Sequence, residues 1–395
     1  MKRNITLGTL NINDRGKQYV NDALNNNRLS RGKYTEDFER TFAPLHDCDY
    51  AVFCNSGTSA LQVALAALKE VYRYKLGDEV LVPATTFIAT SNIVLQNGLK
   101  PIFVDAHPET FNMNPARIHD KLTSRTRCII PAHLFGLPCD MPRIMQIADK
   151  YGLQVIEDSC ETMFAGVNGR SVGSFGDIAC FSTYVNHLIV GGVGGIITTN
   201  DQKLDEISRS LIAHGRDSIY TNIDADDNLH NFELQNIIER RFKFDRVGYS
   251  YRATELEAAI ALSELEVWEH NILTRRKNAA LLTGLLDPFW QYLQRPMIPD
   301  GMQHSFMMYP MICKPGVNRE HLLFFLENNG IETRYLLPLL SQPVYQRLFP
   351  GLDNEYPVSQ RLGRDGFFIG IHQDLRQDDI EYTAEVFTRY FQERK

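Results

Sequence analysis

Residues 181–195 of the chain read FSTYVNHLIVGGVGG, a stretch in which two apolar runs are joined through a histidine and a glycine-rich turn. The runs at 178–182 and 195–199 predict β-strands, and the glycines between them are typical of a turn. His187 is the side chain of this connection that exchanges protons near neutral pH. Because such a histidine is more often packed or solvated than catalytic, its interpretation depends on the flanking segments.

The composition is that of a globular protein large enough for two or more domains. Of 395 residues, 44% are apolar and 23% are charged, which allows a large buried core. The net charge of -7 and the lack of a basic run argue against nucleic acid as a partner. The first residues lack an apolar signal core, and no segment approaches the roughly 18 apolar residues of a membrane span. We therefore expect a cytoplasmic protein with no membrane partner.

Cysteine usage argues against disulfides and metal sites. The seven cysteines are scattered, odd in number and without a CxxC pair, whereas zinc and iron–sulfur sites need clustered thiolates. We predict no bound metal and interpret the cysteines as small buried residues.

Strands alternate with helices over the first two-thirds of the chain. This alternation predicts an α/β fold, with a mostly parallel, seven-stranded sheet and helices on both faces. The predicted strands are 50–53, 79–82, 102–105, 128–132, 153–158, 178–182 and 195–199, and clear helices lie at 60–74 and 142–151.

The remainder of the chain has a different pattern. Residues 200–255, which include the acidic stretch Asp224–Asp227, predict a connection on the surface. A long helix is predicted from Thr254, with Glu257 completing a capping box, and continuing towards Leu282. Mixed strands and helices follow, at 305–313, 319–329 and 377–392. The sequence thus predicts a large domain, residues 1–255 with an N-terminal arm, and residues 256–395 as the connecting helix and a small α+β domain.

Small and hydroxylated residues lie between the first strand and the first strong helix. Gly57 lets the backbone approach an anion, the helix start supplies free N–H groups, and Thr58 and Ser59 add hydroxyls. This pattern is compatible with a phosphate site. Taken alone, however, Ser and Thr at a helix start more commonly form a simple N-cap.

Three further residues are candidates for contact with a cofactor. Asp158 ends a predicted parallel strand, where open α/β sheets bind ligands, and its carboxylate could keep a pyridine nitrogen protonated. A strand-end cap or an ion pair is the alternative. Phe87 could stack on a ring, although a core position is more common for phenylalanine. Ser182 could give a further phosphate contact.

The order of these features is distinctive. The chain contains, in this order, the phosphate turn, the aromatic residue, the strand-end aspartate and the pattern FS-x-x-x-x-[K/H]. A glycine-rich strand follows them. In this order the chain resembles the DegT/DnrJ/EryC1/StrS family of sugar aminotransferases and their dehydratase relatives over nearly its whole length. The resemblance implies the fold-type I fold of PLP-dependent transferases, with pyridoxal 5'-phosphate (PLP) or pyridoxamine 5'-phosphate (PMP) as cofactor. The matching segments are 31–39, 51–65, 82–90, 155–158 and 248–259.

Position 187 departs from most of the family. His187 stands where the aminotransferases have a lysine that binds the cofactor covalently, and an imidazole cannot form that Schiff base. The same exchange marks the branch of PMP-dependent GDP-4-keto-6-deoxymannose 3-dehydratase, which residues 366–373 also resemble. The resemblance implies a 3-dehydratase of a nucleotide-linked 4-keto-6-deoxyhexose, which releases ammonia and uses His187 to move protons. Such enzymes belong to the synthesis of dideoxysugars for cell-surface polysaccharides such as the O-antigen.

The resemblance also implies roles for residues elsewhere. Ser250 replaces an asparagine that in most relatives reaches the cofactor phosphate of the neighbouring subunit, so we expect a homodimer with shared active sites. Glu161 is expected near the O3' atom of the cofactor, or in a structural role. Arg216 and Arg334 are candidates for the substrate diphosphate, with surface ion pairs as the alternative. Glutamate is the expected amino donor.

Two other functions stay open on the sequence. An aminotransferase is possible in which His187 shuttles protons and another amine assists. A catalytically silent protein that binds the cofactor or a sugar nucleotide is the second alternative.

Overall fold

The strands and helices follow from a computed structural model that describes residues 3–9, 11–217 and 230–392. The strands are β1 (Tyr50–Cys54), β2 (Glu79–Pro83), β3 (Lys100–Val104), β4 (Thr126–Ile129), β5 (Gln154–Asp158), β6 (Gly166–Val167), β7 (Arg170–Ser171), β8 (Ile178–Ser182), β9 (Gly195–Thr199), β10 (Leu293–Gln294), β11 (Met302–Gln303), β12 (Tyr309–Cys313), β13 (Thr333–Tyr335) and β14 (Gly366–Ile369). The helices are α1 (Asp14–Asn25), α2 (Lys33–Leu45), α3 (Gly57–Tyr72), α4 (Ile88–Gln96), α5 (Met141–Tyr151), α6 (Gln202–Ile212), α7 (Asn231–Arg240), α8 (Glu255–Leu265), α9 (Trp268–Leu285), α10 (Arg319–Asn328), α11 (Pro343–Leu348), α12 (Pro357–Asp365) and α13 (Gln377–Gln392).

The predicted seven-stranded sheet is confirmed, in the order β1-β9-β8-β5-β4-β2-β3. Strand β9 is antiparallel to both of its neighbours. The other pairings in this sheet are parallel. A parallel pair needs a crossover, and the helices between the strands supply it.

Helices cover both faces of the sheet, because successive side chains of each strand point to opposite sides. Phe181 and Ile196 pack into one core cluster, which includes residues of α2 and α8. Their neighbours Cys180 and Ile197 pack into a second cluster, which includes residues of α3 and α6. Both faces are therefore packed mainly by apolar side chains, and the strand ends are where polar side chains can meet a ligand.

The predicted surface connection at residues 200–255 is wrong for its first part. Helix α6 packs on the sheet through Leu204, Ile207 and Leu211, which are buried. Their spacing is helical, but the many charged residues between them concealed the apolar stripe. Helix α7 has Ile237 as its buried residue and fits the prediction of a surface segment. The acidic stretch Asp224–Asp227 lies outside the described residues.

The predicted long helix after Thr254 is two helices. The capping box of Thr254 and Glu257 is confirmed at the start of α8. However, α8 ends at Leu265 and α9 begins at Trp268, because Val267 leaves the helical region with φ -124° and ψ 11°. No glycine or proline marks this break. Glu266, which lies between the two helices, accepts hydrogen bonds from the side chains of Arg15 and Tyr19.

A second, antiparallel sheet has the order β10-β12-β14-β13. Helices α10 and α13 contribute to its core cluster, and so does Ile5 from the start of the chain. Ile5 pairs with Ile331 in a parallel bridge, so the N-terminal segment lies beside the C-terminal sheet. The domain boundary after residue 255 stays a prediction. In the described part of the chain, no helix has the length and apolarity that a bilayer crossing requires.

Glu255 joins the start of α2 to the start of α8. Its buried carboxylate accepts hydrogen bonds from the backbone N–H groups of Gly32 (2.8 Å), Tyr34 (2.9 Å) and Thr35 (3.0 Å). The hydroxyl of Thr35 donates to the same carboxylate. The first N–H groups of a helix have no partner within the helix, so Glu255 satisfies α2 from another element.

We predict that Glu255→Gln lowers the free energy of unfolding by about 2 kcal/mol, the scale of a hydrogen bond to a charged group. The amide places a donor against N–H donors and removes the charge. Chemical denaturation of the purified variant measures the change. Glu269→Gln, at an exposed position of α9, is the control and should stay within about 0.5 kcal/mol of the parent. Equal losses in both variants would contradict the role of Glu255.

Candidate active site

A cavity of about 510 Å³ opens at the carboxyl end of the parallel strands. The ends of β1, β5 and β8 meet there, as expected for an open α/β sheet. Most of the residues predicted from the sequence line this cavity: Gly57, Thr58, Phe87, Asp158, Glu161, Ser182, His187 and Arg334.

Three predicted residues do not line the cavity of their own chain. Ser59 is buried beside it, and its hydroxyl is bonded to that of Ser56 (2.9 Å). Ser250 pairs with Ala213 in an antiparallel bridge. Arg216 lies with its guanidinium 5.5 and 5.4 Å from the ring centres of Phe242 and Phe244.

The start of α3 approaches the cavity closely because residue 57 is a glycine. Ser56 caps the helix by accepting from the backbone N–H of Ser59. A Cβ atom at Gly57 would lie 2.7 Å from Cys160 Sγ and 2.9 Å from Ser182 Cβ. A larger residue would push the helix start away from Ser182. The sequence therefore brings a helix N-terminus and a serine hydroxyl to one point, which suits a phosphate group.

Asp158 is buried at the end of β5. One carboxylate oxygen accepts from the hydroxyl of Thr90 (2.7 Å), and the other accepts from the backbone N–H of Cys160 (3.2 Å). The Thr90 hydroxyl is also bonded to that of Thr86 (2.8 Å). Burial raises the pKa of Asp158, and among the described residues no lysine or arginine pairs with it. A protonated ring nitrogen would supply the missing positive charge.

The ring of Phe87 is 57% exposed at the wall of this cavity, immediately before α4. An aromatic ring left uncovered inside a polar site offers a stacking surface for a planar ligand. The core alternative for Phe87, which the sequence left open, does not fit this exposure.

His187 is half-buried and lines the cavity. Its backbone N–H donates to the carbonyl of Tyr184 (2.8 Å), and the two rings meet edge to face at 6.0 Å. Its Nδ1 atom is buried with no hydrogen-bond partner in the described part of the chain. Burial lowers the pKa of His187 to about 4, the backbone of Cys160 and of Ser182 opposes this effect, and the charge of Arg275 adds a smaller lowering. The imidazole is therefore neutral at physiological pH and available as a base, rather than half-protonated as an unperturbed histidine would be.

Glu161 is a second titratable group of the cavity. One of its oxygens accepts from the backbone N–H of Phe135 (3.0 Å). Burial raises the pKa of Glu161 to about 7, and the charge of Asp158 acts in the same direction. Glu161 can thus hold or release a proton near neutral pH. The sequence placed Glu161 near the cofactor but gave no sign of this titration, which depends on burial.

The apolar wall of the cavity was not predicted. It comes from distant parts of the chain, and it consists of Leu7, Leu61, Leu134, Met307, Met308, Leu337 and Phe368. Leu7 reaches the cavity because its backbone N–H donates to Glu332 (3.0 Å), which also pairs with Arg334. Apolar residues carry no local signal that separates a binding wall from the core.

A sequence model of the DegT/DnrJ/EryC1/StrS aminotransferase family matches residues 11–388. The chain belongs to this family. GDP-perosamine synthase of Caulobacter vibrioides is 32% identical over 381 residues, which cover 95% of each chain.

Two solved structures of the family have similar folds. The E. coli GDP-4-keto-6-deoxy-D-mannose-3-dehydratase with bound hydrated PLP has a TM-score of 0.88 and 28% identity, covering 98% of this chain and 100% of that one. A structure of GDP-4-keto-6-deoxymannose-3-dehydratase with a trapped PLP–glutamate geminal diamine has a TM-score of 0.86 and 28% identity, covering 97% and 100%.

Pyridoxal 5'-phosphate, in its aldehyde or amine form, is the cofactor of this family member. The residues of the cavity fit it. The start of α3 and Ser182 suit the phosphate, the buried Asp158 lacks a cationic partner, and Phe87 exposes its ring. Among the described residues, no group of three or more His, Cys, Asp or Glu side chains could hold a metal ion.

We predict that Gly57→Ala weakens the binding of PLP about tenfold, since overpacking costs on the order of 1–3 kcal/mol. The added methyl group would contact Cys160 and Ser182 and displace the start of α3. Absorbance titration of the cofactor-free protein with PLP measures the dissociation constant. Gly284→Ala, where a Cβ atom meets open space in α9, is the matched control. Unchanged affinity in Gly57→Ala would exclude this contact as the phosphate site.

Proposed function

We propose that the protein is a PMP-dependent 3-dehydratase, which removes the C3 hydroxyl group of a nucleotide-linked 4-keto-6-deoxyhexose. The observation that carries the proposal is His187, a neutral imidazole at the position where the family's aminotransferases have the covalent lysine. Without that amine, the cofactor is held by contacts alone. The similarity to GDP-4-keto-6-deoxy-D-mannose-3-dehydratase supports the same reaction class.

When bound, PMP supplies the amine that condenses with the 4-keto group and a ring that accepts electrons. Asp158 keeps the ring nitrogen protonated, because a buried carboxylate without another cation stabilises that charge. His187 begins neutral, accepts a proton at its imidazole, and then returns a proton to the hydroxyl group as it leaves C3. Glu161, with a pKa of about 7, lines the same cavity and can exchange a proton there.

Glutamate is the proposed amino donor and also the reductant. In the net reaction the C3–O bond breaks and a C3–H bond forms, while glutamate loses an electron pair and becomes 2-oxoglutarate. The nitrogen leaves as ammonia, and the product is a 4-keto-3,6-dideoxysugar. A similar dehydratase holds a trapped PLP–glutamate geminal diamine, which supports this donor.

The nucleotide portion of the substrate is proposed to extend towards Arg334. This side chain lies at the mouth of the cavity, exposed, and its partner is Glu332 (2.6 Å). A guanidinium there suits a diphosphate. We propose a dideoxysugar of cell-surface polysaccharide as the eventual product.

Transamination is the second candidate function, because GDP-perosamine synthase is among the relatives in sequence. An aminotransferase would place the nitrogen of glutamate on C4 of the sugar and release no ammonia. A protein that binds the substrate without turnover is the third outcome.

The test is incubation of the PMP-charged protein with glutamate and a GDP-linked 4-keto-6-deoxyhexose. We expect ammonia and a 3-deoxygenated sugar in equal amounts, identified by an enzymatic ammonia assay and by mass spectrometry. An amino sugar that retains the nitrogen would replace the proposal by transamination. No turnover across several nucleotide sugars would indicate the silent protein.

His187→Lys and His187→Asn complete this test. Lysine should retain the cofactor covalently after borohydride reduction and suppress deoxygenation, because the amine competes for the cofactor aldehyde. Asparagine, which is neutral and of similar size, should bind the cofactor but lose at least about 100-fold in rate, the scale of a general acid–base contribution. Deoxygenation at the parental rate in either variant would remove His187 as the proton carrier.

We further propose a homodimer in which each chain completes the cavity of the other. Exposed apolar side chains precede the segment of Ser250, namely Phe232, Phe242 and Val247, which are 79%, 81% and 98% exposed. Burial of such residues favours association. We propose that Ser250 and Arg252 then reach the cavity of the partner chain.

Mixing two inactive variants tests the shared site. His187→Asn and Arg252→Ala chains should each be inactive alone. Equal mixing after subunit exchange should recover about one quarter of parental activity, because half of the dimers are mixed and each of these has one intact site. Sedimentation should show a dimer with and without cofactor. An active monomer, or no recovery in a confirmed mixed dimer, would contradict the shared site.

A further inference from the structure

Arg275 of α9 is among the largest side chains that are completely buried. Its Nη1 atom donates to the carbonyls of Phe306 (3.2 Å) and Met307 (3.0 Å), and its Nε atom donates to the side chain of Gln373 (2.9 Å). Within the described ranges, no aspartate or glutamate forms a direct ion pair with it. A positive charge is thus held in the interior by neutral acceptors alone.

Such an arrangement is costly, since a buried charge without a direct counter-ion loses its hydration. Burial lowers the pKa of Arg275 to about 10, and Asp374 and Glu264 oppose this effect at longer range. The pKa of Glu264 is itself raised to about 7 by burial, so its compensating charge is incomplete at neutral pH. A neutral donor could also form hydrogen bonds to these two carbonyls. The positive charge of Arg275 therefore calls for a further explanation.

The carbonyls that Arg275 binds belong to a wall of the active-site cavity. Met307 and Met308 line the cavity, and Phe306 before them has a left-handed backbone with φ 50°. The N–H group of Met307 donates to the carbonyl of Phe135 (3.0 Å). Arg275 therefore holds one side of a strained loop whose other side is bonded to the loop of Phe135.

The loop of Phe135 is in turn hydrogen-bonded to Glu161. Phe135 also has a left-handed backbone, with φ 59°, and its N–H group donates to the Glu161 carboxylate. A continuous series of hydrogen bonds thus runs from Arg275, through the carbonyl and N–H of Met307 and through Phe135, to a titratable group of the cavity.

We propose that Arg275 is a positioning residue of the active site, whose guanidinium fixes the wall formed by Met307 and Met308 and, through Phe135, the position of the Glu161 carboxyl group. This inference deepens the proposed function, on which its kinetic test rests. Its titration test uses the cofactor-free protein and is independent of the reaction catalysed.

Charged groups from several elements face Arg275. Glu264 lies on α8, and His372 and Asp374 follow β14, while His187 lies between β8 and β9. The charge of Arg275 lowers the pKa of both His187 and His372. Removing that charge should raise the pKa of His187. Since the neutral imidazole is the base, the acid limb of the rate profile should then move to higher pH.

The first experiment is a histidine NMR titration of the cofactor-free protein, with the His187 signal assigned by its absence in His187→Asn. We expect a higher pKa for His187 in Arg275→Met than in the parent, and an unchanged pKa in Arg275→Lys, which keeps the charge. Arg276→Met is the matched control. Arg276 is the next residue of α9, and it binds the carbonyls of His304 and Phe164 rather than the cavity wall. It should leave the His187 titration unchanged.

The second experiment separates the wall from the charge by kinetics of the PMP-charged protein. Both Arg275 variants should raise KM for the nucleotide sugar by about tenfold or more, because neither side chain reproduces the guanidinium fork and small displacements are costly. The acid limb of kcat/KM should move to higher pH in Arg275→Met only.

Several outcomes overturn the inference. One is a His187 titration in Arg275→Met that matches the parent, and another is an equal shift in Arg276→Met; either would leave Arg275 as structural support. If Arg275→Met does not fold, Arg275→Lys carries the test, and a parental KM or a displaced acid limb in that variant rejects the proposal. If the protein proves to be an aminotransferase, the product assay shows it, while the titration result is unaffected.

Discussion

The constraint on which the structure depends is burial of the parallel sheet on both faces. Side chains of β8 and β9 enter two separate apolar clusters, so the two faces of the sheet are packed mainly by apolar side chains. The polar side chains that could bind a ligand therefore gather at the strand ends. The cavity lies there because the crossovers deliver helix starts and loops to the same edge.

The same dry surroundings give the cavity its protonation pattern. Burial raises the pKa values of Asp158 and Glu161 and lowers that of His187. One physical cause therefore produces a carboxylate that needs a cationic partner, an acid near neutrality and a free base. Groups with pKa values pushed apart in this way suit a reaction that removes one proton and donates another.

The scaffold by itself does not select the reaction. Solved structures with similar folds include a dehydratase and an aminotransferase by name, and both align over most of the chain. We propose that the chemistry depends on a few side chains at the cavity, foremost the residue at position 187. We propose that the buried Arg275, which lies behind the cavity wall, also belongs to the functional arrangement, since charge acts through a dry interior over longer distances than in water.

The sequence by itself determined the alternation of strands and helices, the capping box at Thr254, and the segments that meet at the cavity. These features are local, and patterns of apolar residues and turn chemistry report them directly. It missed the packing of α6, because charged residues concealed its apolar stripe. It also missed the break at Val267, which no glycine or proline announces.

The tertiary structure decided which other residues share the cavity and which predicted ones do not. It brings Leu7 and Met307 beside His187 and leaves Ser250 and Arg216 outside the cavity of their own chain. It likewise decided that His187 is neutral, since a pKa depends on burial and on charges distant in sequence. These quantities arise from contacts between remote segments, and a local pattern carries no record of them.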